Sequence, residues 1–280
     1  MQQVKKFLER KEIMNWGERV ASRRQRVHEQ RPLVHHITNL VVTNLTANVT
    51  LAIGASPVMA YAREEVADMA RLAQAVVLNM GTLTGDVVEA MLLAGKAANN
   101  AGIPVVFDPV GAGATPFRTR TAQKIIKELH IDILRGNASE IASIGGFGGH
   151  TKGVDAAGAP ARVAEMVKQV ARDLNTVVAV TGATDYISDG ERLIAVDNGH
   201  PLLTFVTGTG CSATSIIAAF RAVEEDGVTA STAALAYYGL AAERAAAVSQ
   251  GPASFQVALL DTLYNLAGEK LARGVKIRLL

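Results

Sequence analysis

Between residues 75 and 181 the chain switches repeatedly between short apolar runs and helical periods, and this alternation restricts its fold more than any other feature. AVVLNMG reads as a buried strand, GDVVEAMLLAGKAANNAG as a helix closed by Gly102, and PVVFDPVG as a second buried strand. TAQKIIKELH then reads as a helix, IDILRGN as a strand, SEIASIGG as the start of a helix, ARVAEMVKQVARDLN as a helix and TVVAVTG as a strand. Strands apolar on both faces and joined through helices imply a parallel sheet covered on both sides. Right-handed crossovers place the loops after those strands along one edge, which gathers Gly81, Asp108, Asn137, Glu140, Thr181 and Gly182.

The pattern changes in DYISDGERLIAVDNGHPLLTFVTG, where turn signals at Asp189-Gly190 and Asn198-Gly199 separate short alternating runs. These read as antiparallel strands at the sheet edge, with LLTFV as a further strand. CSATSIIAAFRAVEED, ASTAALAYYGLAAERAAAVSQ and SFQVALLDTLYNLAGEKLARG fill the remainder as helices. No linker or repeat divides the chain, so the expectation is one α/β domain over residues 33–280, preceded by a charged helical extension over residues 1–32.

Basic residues crowd that extension, but glutamates are interleaved with them and the net charge of the whole chain is only +2. A solvated amphipathic helix is therefore expected there rather than a nucleic-acid arm. No uninterrupted apolar run precedes residue 30, and no later stretch is long and uncharged enough to span a bilayer. A single cysteine excludes an intrachain disulfide. A cytoplasmic protein with neither nucleic-acid nor membrane partners is expected.

Three stretches could carry chemistry. In VTGTGCSATS, a glycine-rich turn enters a helix, and free backbone N–H groups at a helix N-terminus favour an anion. Gly208, Thr209, Gly210 and Cys211 would form that anion hole, or they make a tight turn with no ligand. The turn lacks the lysine of a phosphate-binding Walker loop. It matches a dinucleotide fingerprint through Gly208, Gly210 and Ala213, but no second strand follows its helix. The second stretch, NASE, places Glu140 in the first turn of a helix, where it either caps backbone N–H groups or faces the strand-end crevice and holds a divalent ion through water. The third is Asp108 of FDPVG, which is either a turn residue before Pro109 or the second carboxylate at that edge. The histidines share no ligand spacing, so neither a zinc site nor a Ser-His-Asp triad is expected.

A parallel sheet, an N-x-x-E segment, a V-T-G strand end and a late Gly-x-Gly turn opening a helix together resemble ribokinase-like small-molecule kinases. More narrowly, VHHITNLVVTNLTANVTLAIGASPVMA, LNMGTLT, FDPVGAGAT, LRGNASEI and VTGTGCSATS are similar to the hydroxyethylthiazole kinase family, from about residue 33 to the C-terminus. The resemblance implies transfer of the ATP γ-phosphoryl group to the primary alcohol of 4-methyl-5-(2-hydroxyethyl)thiazole, with Mg²⁺, in thiamine salvage. It also implies a homotrimer with interfacial active sites. Met59, Gly208 and Asn39 would contact the thiazole, with Asn39 supplied by a neighbouring subunit. Arg135 and Thr181 would contact ATP, and Asp108 and Glu140 would organise the metal. Cys211 occupies the position where most ribokinase-like enzymes carry the aspartate that takes the substrate proton. Helix N-termini lower thiol pKa values, so a thiolate fraction near neutral pH is expected there, opposed by any nearby phosphate. Two other readings stay open: a kinase for another small alcohol such as a hydroxymethylpyrimidine, and a nucleotide-binding regulator without turnover.

Overall fold

The computed structural model describes residues 16–147 and 160–280. Its centre is a nine-stranded sheet. The strands are β1 (Leu33–Ile37), β2 (Ser56–Val58), β3 (Ala75–Asn79), β4 (Val105–Asp108), β5 (Ile133–Asn137), β6 (Val177–Thr181), β7 (Asp185–Ser188), β8 (Leu193–Val196) and β9 (Ile277–Leu279). Their spatial order is β2-β1-β3-β4-β5-β6-β7-β8-β9. Pairing is parallel from β2 to β6 and antiparallel from β6 to β9, so the mostly parallel sheet with antiparallel edge strands is present.

The side-chain period of two explains why the strands are apolar throughout. Ala75 and Val77 of β3 enter one core, and Val76 and Leu78 enter the other. In β4, Val106 faces the first core while Val105 and Phe107 face the second. Both faces are covered by helices. The second core packs under α3 (Val66–Leu72), α4 (Gly85–Asn100), α5 (Pro116–Glu128), α6 (Ala138–Ile144) and α7 (Pro160–Leu174). The first lies under α1 (Trp16–Gln30), α2 (Thr43–Ala52), α8 (Thr209–Arg221), α9 (Gly227–Ala246), α10 (Pro252–Asn265) and α11 (Gly268–Ala272). α8 and α9 are buried nearly all round, as their Ala- and Ile-rich sequences demand.

Three differences from the sequence reading have local causes. LLTFV is a 3₁₀ turn over Pro201–Phe205 rather than a strand. Pro201 sits at its first position without an N–H to give a ladder, and His200 Nδ1 accepts from Leu202 N at 3.2 Å. The last helical stretch breaks at Gly268, whose φ of +56° is left-handed, and the chain returns as the unforeseen strand β9 on β8. α1 is not a solvated appendage: Val20 and Val27 are fully buried, and the buried Arg24 donates to Tyr237 Oη at 3.3 Å and to the Tyr264 carbonyl at 3.2 Å. The described half of the expected extension thus shares the core of the domain, while residues 1–15 lie outside the described residues.

Candidate active site

The chain runs from β1 outward to β2 and then back across to β3, so β1 and β3 part at a topological switch point. Crevices at the carboxyl ends of strands on either side of such a point are where open α/β sheets bind ligands. Asn39 follows β1 and Asn79 ends β3, and their side chains meet there, Asn39 Nδ2 donating to Asn79 Oδ1 at 2.9 Å. Asn79 pairs in register with Asp108 across β3 and β4, and Asn137 with Thr181 across β5 and β6. The single edge anticipated from the sequence therefore exists.

α8 packs across β1, β3 and β4 and brings its N-terminus to that edge. Its N-cap, Gly208, has φ +86°, and a Cβ there would lie 2.7 Å from Val42 Cγ1, so only glycine fits. Ser212 N is the first α8 donor bonded back into the turn, to Gly208 O at 2.8 Å. The N–H groups of Thr209, Gly210 and Cys211 precede it, at the positive end of the helix dipole. Arg135 of β5, buried to 7% exposure, lies beneath them. A Cβ on Gly210 would sit 3.0 Å from Arg135 Nη1, so the absent side chain lets the guanidinium press against the helix end.

Arg135 is neutralised from below. Its Nη1 is 3.4 Å from Asp108 Oδ2, and its Nη2 donates to Thr181 Oγ1. Asp108 is fully buried at the end of β4, so it is not a turn residue, and it also accepts from Asn79 Nδ2 at 2.9 Å and Thr214 Oγ1 at 2.8 Å. Burial pushes its carboxyl above the usual carboxylate range, and Arg135, Thr214 and Asn79 pull it back. Its other oxygen, Oδ1, is buried without a partner.

Glu140 makes a full capping box: Oε2 accepts from Asn137 N at 2.8 Å while Asn137 Oδ1 accepts from Glu140 N at 2.9 Å. Its Oε1 accepts from Gly111 N at 2.8 Å, tying the loop after β4 to α6. Burial and the neighbouring Asp108 push its carboxyl up as well. No cluster of three or more His, Cys, Asp or Glu side chains among the described residues could hold a metal by itself. Asp108 Oδ1 is the one oxygen of the Asp108 and Glu140 carboxylates left without a partner, and Mg²⁺ commonly takes one or two carboxylates with waters and phosphates as its remaining ligands.

A cavity of about 660 Å³ opens beside the α8 N-terminus. Arg135, Thr181, Asp185, Thr209, Gly210 and Tyr238 are among its walls. Asp185 starts β7, accepts from Gly182 N at 2.9 Å, and is pushed up to about 7 by burial. Arg135 and the backbone bond oppose that rise, and Asp197 adds to it. Between pH 4 and 7 the folded state therefore holds a proton that the unfolded chain has released, so stability falls as pH rises through that window. Asp185→Asn, which keeps the acceptor for Gly182, is expected to raise Tm at pH 8 by about 5 °C and to lose that gain by pH 4. Calorimetry at both pH values checks this, and an equal Tm for the two proteins at pH 8 would remove the buried-carboxyl cost.

Cys211 stands on the other side of the helix end from this cavity, half-buried, with Asn79 Nδ2 at 3.2 Å and Asn39 Nδ2 at 3.5 Å from Sγ. Its surroundings oppose the expected thiolate fraction. Burial, aided by Asp108, pushes the thiol up to about 11, against the pull of Arg135 and the two amides. Met59 is half-buried directly after the edge strand β2, which pairs with β1. Asn79, Thr214 and Asp185 were not singled out by the sequence as ligand-facing groups. Only the strand-end position of Asn79 in LNMG pointed to its place at the edge.

A doubly covered α/β sheet with a Gly-x-Gly helix N-terminus set over a buried arginine, with a cavity beside it, is the architecture of ribokinase-like small-molecule kinases. The fold is shared with a ribokinase-like superfamily protein from Enterococcus faecalis, at TM-score 0.63 and 12% identity over 84% of this chain and 87% of that one. The sequence model of the hydroxyethylthiazole kinase family matches residues 24–269, and the chain belongs to that family. It is 99% identical over 267 residues to a hydroxyethylthiazole kinase of Moorella thermoacetica, covering 95% of this chain and all of that protein. The structure of a hydroxyethylthiazole kinase from Pyrococcus horikoshii superposes at TM-score 0.87 and 46% identity, covering 93% of this chain and 98% of that one.

Proposed function

We propose that the chain transfers the γ-phosphoryl group of ATP to the primary alcohol of 4-methyl-5-(2-hydroxyethyl)thiazole, a salvage step of thiamine biosynthesis. The observation that carries this reading is the position of the α8 N-terminus, with the Arg135–Thr181 cavity on one side and the Asn39–Asn79–Cys211 cluster on the other. ATP takes the cavity, its phosphates reaching Arg135 and the N–H groups from Thr209 to Cys211, with Gly208 fixing their direction. The thiazole takes the switch-point crevice, against Asn39, Gly208 and Met59. Mg²⁺, when bound, would be organised by Asp108 and Glu140 and would neutralise phosphate charge. Leu40 and Val41, at 77% and 66% exposure directly after Asn39, support a homotrimer in which a neighbouring copy covers this loop. No described helix is long and apolar enough to cross a membrane, and together with the single cysteine this favours a cytoplasmic setting.

In the transfer the alcohol oxygen bonds to the γ-phosphorus as the bond to the β-phosphate oxygen breaks, and ADP leaves. The transition state is loose, so orientation and charge stabilisation outweigh a strong base. Burial pushes the Cys211 thiol up to about 11, which opposes the thiolate that a general base would need. Cys211 therefore touches the acceptor hydroxyl as a positioning contact, and the proton leaves on the phosphoryl product. Cys211→Ala is accordingly expected to cost about tenfold in kcat, well short of the 10²–10⁴ of a general base, with KM for ATP unchanged. Cys211→Asp should remain active. A loss of about 10⁴ in the alanine variant would restore the base role.

Turnover measured by ADP release across a panel of small alcohols tests the substrate. The thiazole alcohol is expected to lead a hydroxymethylpyrimidine in kcat/KM, and chelation of divalent cations to abolish activity. Preference for the pyrimidine would move the chain to the second reading, and no alcohol-dependent ADP release would make it a regulator.

A further inference from the structure

Asn79 is 1% exposed, and no part of its carboxamide is idle. Its Oδ1 accepts from Asn39 Nδ2 at 2.9 Å and from Gly81 N at 3.0 Å. Its Nδ2 donates to Asp108 Oδ2 at 2.9 Å and to Cys211 Sγ at 3.2 Å. A carboxamide offers two N–H donors and a carbonyl with two lone pairs, and all four are used here. The backbone N–H of Gly81 can only donate, and a carboxylate oxygen of Asp108 accepts. The orientation of the amide is thus dictated by its neighbours rather than chosen. With that orientation fixed, Asn39 must present its own NH₂ to Asn79, and the same group reaches Cys211 Sγ at 3.5 Å.

Two amide donors therefore converge on one sulfur from the sheet side. The hydrogen of the thiol cannot point back into either amide and is directed away from both, on a side chain that is only partly buried. We propose that Asn79 is a positioning residue for phosphoryl transfer, fixing the Cys211 thiol so that its S–H faces the acceptor hydroxyl in the crevice between β1 and β3. This rests on the kinase reading for the identity of the acceptor, while the geometry imposed on the thiol does not. The groups facing Asn79 are Asn39 from the loop after β1, Gly81 from the loop after β3, Asp108 from β4 and Cys211 from α8, with Arg135 of β5 beyond Asp108.

A double-mutant cycle between Asn79 and Cys211 tests it. Asn79→Ser is expected to lower kcat for the thiazole alcohol about tenfold and to leave KM for ATP within about twofold, because the effect falls on orientation and not on the nucleotide cavity. In the Cys211→Ala background the same change should cost less than about twofold, since the group through which Asn79 acts is gone. An equal loss in both backgrounds would make Asn79 a structural residue only and overturn the proposal. A second readout is independent of the kinase reading. Cys211 is the sole cysteine, so the rate of alkylation by iodoacetamide at fixed pH reports its presentation directly. Asn79→Ser, or Asn79→Asp should the serine variant fail to fold, is expected to change that rate by about threefold or more relative to the parent. An unchanged alkylation rate in a folded variant overturns the proposal even if thiazole turnover is never observed.

Discussion

Replacing Arg135 with methionine is expected to produce a protein both less stable and nearly inactive. Among the described residues the guanidinium is the only cation in contact with the fully buried Asp108, and removing one member of a buried ion pair costs about 3–5 kcal/mol because the other is left uncompensated. In a domain of this size that corresponds to a fall in Tm of roughly 10 °C. Asp108, already pushed up by burial, would then take up a proton more readily, so the loss should be smaller at pH 5 than at pH 8. The sign follows from the carboxyl being raised in the folded state: stability is lost as pH rises through its folded pKa. Turnover should suffer independently. Arg135 lies under the α8 N–H groups and in the wall of the cavity, where removal of one preorganised donor for developing charge costs about 10²–10³ in rate. Thermal melts at the two pH values, with kcat/KM for ATP, check both halves. A variant with parental Tm and activity would show that Arg135 neither balances Asp108 nor meets the phosphates.

Gly208→Ala should be nearly as damaging while leaving the charges in place. The residue sits at φ +86°, where an L side chain is strained, and the new Cβ would lie 2.7 Å from Val42 Cγ1 and 3.1 Å from Leu45 Cδ2. Relief requires the start of α8 to move away from α2. Those are the residues whose N–H groups meet the transferring phosphoryl group in the proposed mechanism, and a misplacement of about 1 Å can cost about 10² in rate. kcat is expected to fall by about that factor, and a drop confined to Tm, with kcat unchanged, would detach the helix terminus from the chemistry.

The sheet was legible because its strands are short, apolar on both faces and separated by helical periods, a pattern few other folds satisfy. The edge that collects Asp108, Glu140 and Thr181 followed from that pattern alone. The nature of each group on the edge did not. Glu140 satisfies its capping role completely and also accepts from Gly111 N of a different loop, a partner that the NASE stretch alone does not name. Cys211 illustrates the limit most clearly. Its position at a helix N-terminus argued for an acidic thiol, but the sign is set by burial and by Asp108, which is 103 residues earlier in the chain and invisible to a local reading. Asn79 and Thr214 escaped for the same reason, since their partners are fixed by sheet order and helix packing and not by spacing. LLTFV failed in the opposite way: the apolar run was read as a strand, although the preceding His-Pro favours a turn and leaves Phe205 at 69% exposure.

In the proposed reaction one helix terminus hands a phosphoryl group directly from ATP in the Arg135–Thr181 cavity to an alcohol beside Asn39 and Cys211. A single-turnover experiment with excess protein, Mg²⁺, γ-labelled ATP and the thiazole alcohol addresses it without reference to any variant. The expected result is label in the phosphorylated thiazole, equal to the ATP consumed, with none on the protein. Label found only in inorganic phosphate, or retained on the protein, would contradict it.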